Sequence, residues 1–159
     1  MNFEQYQNYL IDTATSLLSI DSTSGFTAKV TDYLIDTVKE LGYPVYKNNI
    51  GNVIVTVEGE DDSEPIALSA HVDTLGLMVR SITMLMITSI GSPLLPSLDG
   101  EYCNIHTRDG RVYTGTILSL SSAVHVFPDA STRDRDEQNM AVRIDEIVHS
   151  KEDVEALGI

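Results

Sequence analysis

The sequence predicts an α/β fold over residues 1–76 followed by an all-β, barrel-like fold over residues 77–159, and two observations carry that division. Apolar residues recur at three- and four-residue spacing as far as Leu41, then give way to short β-branched or aromatic runs. Beyond Leu75 no helical period returns until the last few residues, and turn signals punctuate short strands. A length of 159 residues suits one ordinary domain, or one lobe with a small inserted module.

The elements follow in order. Phe3, Tyr6, Leu10, Ala14, Leu17 and Leu18 mark one face of an amphipathic helix that ends before the Asp21-Ser22-Thr23-Ser24-Gly25 cluster. Thr27 is placed to cap a second helix with the apolar face Val30, Leu34, Val38 and Leu41, closed by Gly42 and followed by Pro44. Residues 44–47 and 53–57 read as a hairpin around Asn48-Asn49-Ile50-Gly51-Asn52, because Asn and Gly tolerate positive φ. An acidic loop, 58–64, comes next. Residues 66–70 form a short apolar or small run, expected to be a strand buried on both faces of a sheet that delivers His71 and Asp73 at its C-terminal end. The later strand candidates are 77–82, 84–90, 101–107, 111–118, 123–127 and 140–144, with Asp109-Gly110 as a tight hairpin signal. Ser150-Lys151-Glu152-Asp153 resembles a capping box, Asp standing in for Glu, ahead of a brief final helix.

Composition excludes several function classes. With 42% apolar and 21% charged residues the chain is neither disordered nor fibrous. Twenty-four acidic against ten basic residues leave a charge of -14, which repels nucleic acid and anionic membranes. The apolar stretch 75–90 contains Arg80 and is too short to span a bilayer, and the N-terminus lacks the basic region of a signal peptide. A single cysteine, Cys103, forms no internal disulfide, so a cytoplasmic location is expected.

Chemistry concentrates in Ser69-Ala70-His71-Val72-Asp73-Thr74-Leu75-Gly76. His71 and Asp73 alternate with Val72, so in an extended chain both address one site. An imidazole ligates zinc or cobalt, and a nearby carboxylate fixes its tautomer or binds metal itself. A lone His-x-Asp also suits an ordinary polar surface, and the residues alone leave both readings open. His106, His125 and His149 fit packing or surface roles better than ligation. Cys103 has no partner at useful spacing, Ser121-Ser122 sits in no nucleophile elbow, and residues 129–137 read as a solvated loop of mixed charge.

Several blocks narrow the choice. HVDTLGLMVRSI, GEYCNIHTRDGRVYTGTIL and MAVRIDEIVHSKEDVEALGI resemble, in order and spacing, segments of the M42 family of metallo-aminopeptidases. SIDSTSGFTAKVTDYL and NNIGNVIVTVEG resemble that family's first loop and hairpin. The resemblance implies the N-terminal part of a mixed-sheet metallopeptidase lobe (1–76) and most of an inserted β-barrel-like assembly domain (77–159). It implies His71 as a ligand of one of two zinc or cobalt ions, Asp73 as the supporting catalytic carboxylate, peptide substrates and a homo-oligomer. The family's bridging carboxylate, paired Glu residues, third acidic ligand and final His follow the blocks matched here. The chain alone is therefore expected to hold one partial metal site and no activity. Two local departures stand out: Ser81-Ile82-Thr83-Met84 replaces a polar Gly-containing turn, and Gly91-Ser92-Pro93 stands where the family tends to show a Gly pair. The alternative is a non-catalytic assembly or interaction fragment derived from that family.

Overall fold

A computed structural model describes residues 3–61, 63–82 and 84–159. Asp62 of the expected acidic loop and Thr83 of the expected strand junction lie outside the described residues. The chain divides into two compact units, Met1–Leu75 and Gly76–Ile159.

In the first unit the 3.6-residue pattern produces α1 (Glu4–Leu18) and α2 (Ala28–Glu40). The expected apolar stripe of α1 forms, but Phe3, Tyr6, Leu10 and Leu18 remain exposed. On α2, Val30 is fully buried and Thr31 nearly so. Thr27 occupies the expected cap position without a side-chain cap bond. Its carbonyl instead accepts from the Thr31 amide and from Thr31 Oγ1. Gly42, at φ 82°, ends α2: its amide donates to Lys39 O and that of Tyr43 to Val38 O, a Schellman closure that needs positive φ after the cap. The hairpin forms as read, with β1 (Val45–Lys47) antiparallel to β2 (Val53–Val55) and Val45 opposite Val55. Asn48 Oδ1 accepts from the amides of Ile50 and Asn52 across the turn.

The strand expected over 66–70 is not present. That segment is irregular, with Ile66 91% and Leu68 96% exposed. A strand covered on both faces needs a hydrogen-bonded neighbour to occupy its N–H and C=O groups, and the described residues place none beside it.

The second unit is a five-stranded antiparallel sheet in the order β3-β4-β7-β6-β5, formed by β3 (Gly76–Ser81), β4 (Leu85–Ile90), β5 (Tyr102–His106), β6 (Val112–Ser119) and β7 (Met140–Ile144). Among the described residues the ladder is open between β3 and β5. Alternation buries Gly115, Ile117 and Ser119 of β6, and Met140, Val142 and Ile144 of β7. With Leu85, Ile87, Leu95 and Ile105 these apolar side chains form one core, closed by Val154 of α3 (Lys151–Ala156). The α3 cap is as expected: Ser150 Oγ accepts from the Asp153 amide, and the Asp153 carboxylate accepts from the amides of Ser150 and His149.

Two expectations for this unit are corrected. Residues 123–127 form turns rather than a strand: the Val126 and Phe127 amides donate locally to Ala123 O, and Pro128 offers no donor to extend a ladder. Residues 129–137 are not a freely solvated loop. Arg135 Nε bonds Asp99 Oδ2 at 3.1 Å while its Nη1 reaches the carbonyls of Ala130 and Arg133. Glu137 accepts from the Ser89 amide at 2.6 Å and from Thr88 Oγ1 at 3.0 Å, which fastens the segment to β4.

Candidate metal-ligand site

The backbone of His71–Thr74 is shaped by the loop after α1. Ser22, wholly buried, donates its hydroxyl to Val72 O at 3.1 Å, and its carbonyl accepts from the Thr74 amide at 3.0 Å. Thr23 pairs with Thr74 in an isolated parallel bridge. The Phe26 amide closes a turn on Thr23 O at 2.7 Å, with Gly25 in the left-handed region at φ 87°. This local stapling replaces the sheet context that the sequence pattern had suggested.

On that frame His71 and Asp73 meet. His71 Nδ1 lies 3.1 Å from Asp73 Oδ1 and 3.2 Å from Asp73 O. Both neighbours are acceptors, so Nδ1 must carry the proton and donate. In the neutral ring this leaves the Nε2 lone pair available on a side chain that is 87% exposed. The second carboxylate oxygen, Asp73 Oδ2, accepts from Ser24 Oγ at 2.5 Å. The Ser24 hydroxyl foremost holds the Asp73 carboxyl below its usual range, against desolvation that raises it and with a smaller lowering from His71. Nothing in a single-residue pattern marked Ser24; only its place in the Ser-Gly turn hinted at a shaped loop.

The donor chemistry suits one imidazole ligand with an orienting carboxylate. Among the described residues no group of three or more His, Cys, Asp or Glu side chains is placed to hold a metal ion. The other sequence candidates belong to the second unit. His106 lies in β5, His125 is exposed in a turn, and His149 is exposed ahead of α3. Burial, reinforced by the Asp145 charge, pushes the Cys103 thiol up, which disfavours the thiolate a nucleophile requires. No helix among the described residues is long and apolar enough to cross a membrane.

A family model described as M42 glutamyl aminopeptidase matches residues 51–159. The chain is 44% identical over 146 residues to YhfE of Bacillus subtilis (strain 168), which carries a provisional aminopeptidase name; the match covers 90% of this chain and 42% of that protein. It is 34% identical over 108 residues to glutamyl aminopeptidase of Lactococcus lactis subsp. cremoris (strain MG1363), covering 64% of this chain and 30% of that one. Among solved structures, an aminopeptidase of the archaeon Desulfurococcus kamchatkensis superposes with a TM-score of 0.82 at 26% identity, over 97% of this chain and 41% of that chain. A TET aminopeptidase from a marine-sediment Thaumarchaeota archaeon superposes at 0.80 with 23% identity, over 94% of this chain and 42% of the other, a likeness of fold alone. The chain thus spans less than half the length of each of these relatives.

Proposed function

The chain belongs to the M42 glutamyl aminopeptidase family, and from that premise we propose that it is part of a metal-dependent aminopeptidase removing N-terminal residues from peptides. The observation that carries this reading is the His71–Asp73 pair, with Nδ1 occupied by acceptors and Nε2 exposed. His71 is the metal ligand contributed by this chain, and Asp73 the catalytic carboxylate that holds the ligand's proton at Nδ1. His71 would hold one of a pair of divalent ions, zinc or cobalt, which in the complete enzyme would supply Lewis acidity toward the peptide carbonyl and a template for the free α-amino group. Residues 1–76 make the N-terminal part of the peptidase lobe. Residues 77–159 make a barrel-like inserted domain through which copies assemble; Met78 and Tyr102, on the two strands that end the ladder, are exposed in support of such contacts. The protein works in the cytoplasm on peptides, in keeping with its single cysteine and its charge of -14.

The test is hydrolysis of aminoacyl p-nitroanilides by the purified chain, stripped with chelator and then given zinc or cobalt. Because the chain supplies one ligand of the site, no turnover is expected from it alone, and metal-restored activity that disappears in His71→Ala is expected when a polypeptide carrying the family's remaining ligands is supplied with it. A folded chain that stays inactive with every metal even then would favour the second reading, a non-catalytic assembly fragment. One observation already supports that alternative: the second unit has its own closed core, whereas the described residues place no three ligands together.

A further inference from the structure

We propose that Ser24 is a positioning residue of this site, acting through Asp73 to set the tautomer and direction of His71. The proposal rests on the reading of His71 as a ligand and adds to it a residue 49 positions from Asp73 in sequence.

The geometry is a relay in which each oxygen of one carboxylate has its own partner. Ser24 Oγ donates to Asp73 Oδ2 at 2.5 Å, while Asp73 Oδ1 faces His71 Nδ1 at 3.1 Å. A carboxylate on the surface turns freely about its terminal bond, and water competes for both oxygens. Fixing Oδ2 removes that rotation and leaves Oδ1 aimed at the imidazole. The ring must then hold its proton on Nδ1, with Nε2 bare and pointed away from the carboxylate. Ser24 can do this because its own backbone does not drift. The adjacent Thr23 is bridged to Thr74, Ser22 is bonded through both hydroxyl and carbonyl to Val72 and Thr74, and Gly25 turns the chain at φ 87°. The loop after α1 is therefore tied on both sides of Asp73, and it directs the Ser24 side chain onto that carboxylate.

The experiment is long-range proton–nitrogen correlation of the His71 ring in the full chain without metal, at a pH well above the ordinary histidine range. In the unsubstituted chain the Nδ1–H form should dominate. Ser24→Ala should lower its share relative to the Nε2–H form by about three-fold or more. Ser24→Thr, which keeps the hydroxyl, should restore it. Backbone amide peaks in the same samples report whether each variant is folded, and Ser24 is exposed, so both should be. An unchanged tautomer ratio in folded Ser24→Ala overturns the proposal, as does a ratio that Ser24→Thr fails to restore. Zinc titrated into the unsubstituted chain tests the underlying reading separately. If the Nε2 resonance of His71 does not respond, the ligand assignment falls, and the proposal with it. If it does respond, Ser24→Ala should weaken the binding by about ten-fold.

Discussion

Ser92 has φ 60°, beside Gly91 at φ 75°. A left-handed conformation costs a residue with a Cβ about 1–2 kcal/mol, partly offset because glycine loses more freedom on folding. Ser92→Gly is accordingly expected to stabilise the second unit by about 0.5 kcal/mol, read as a higher urea midpoint at unchanged slope; a lower midpoint would refute the strain argument. Glu137 makes a second residue-scale case. The Ser89 amide first, then the Ser89 and Thr88 side-chain contacts, hold its carboxyl below the ordinary 4.5. A carboxyl depressed in the folded state contributes its full stabilisation above its unfolded value, and that contribution fades as the pH falls through the lower folded value. Asp145, bonded by Tyr102 and Thr114, and Asp153, bonded by the His149 and Ser150 amides, act in the same direction. The thermal midpoint should therefore drop as pH falls below about 4.5, and Glu137→Gln should flatten that drop without abolishing it. A variant as steep as the parent would mean that the clamp on β4 contributes nothing.

At the scale of elements, the second unit depends on a close approach between β6 and β7. Gly115 stands opposite Ile144, and a Cβ built there would lie 2.7 Å from Arg143 O and 2.7 Å from a Val142 methyl. A carbonyl in the middle of a ladder cannot withdraw without breaking its strand pairing. Gly115→Ala is therefore expected to cost about 1–3 kcal/mol, measured by denaturant unfolding; a neutral effect would show that the two strands separate easily. Elements were legible in proportion to how local their causes are. The period of α2, the Gly42 closure, the Asp109-Gly110 turn and the Ser150–Asp153 box each depend on residues within a few positions, and each formed as read. Residues 66–70 and 123–127 have strand-like composition, yet a strand exists only if another strand accepts its hydrogen bonds. Composition carries no information about whether that neighbour is there.

Across the whole molecule, apolar exposure is uneven. Phe3, Leu18, Ile50, Ile66 and Leu68 of the first unit are each more than three-quarters exposed, as against Ile147 alone among the large apolar residues described in the second; among the described residues of the first unit the one fully buried apolar side chain is Val30. Among the described residues of the second unit, nine buried apolar residues form a single cluster against its sheet. Exposed apolar surface on this scale binds hydrophobic dyes and promotes association. The chain is expected to enhance anilinonaphthalene sulfonate fluorescence and to sediment as concentration-dependent species. A dye-silent monomer would mean that the first unit packs more tightly than its side chains do in this structure. By itself the sequence determined the family, the α/β character of the first half, the strand-rich second half and the meeting of His71 with Asp73, because periodicity, caps and short motifs are local properties of a chain. Only the tertiary structure decided that Ser24 bonds Asp73, that Arg135 and Glu137 leave their apparent loop to grip Asp99 and β4, and that residues 66–70 stay open. Those outcomes depend on which distant segments meet, and a hydrogen bond between positions 49 residues apart leaves no periodic trace in sequence.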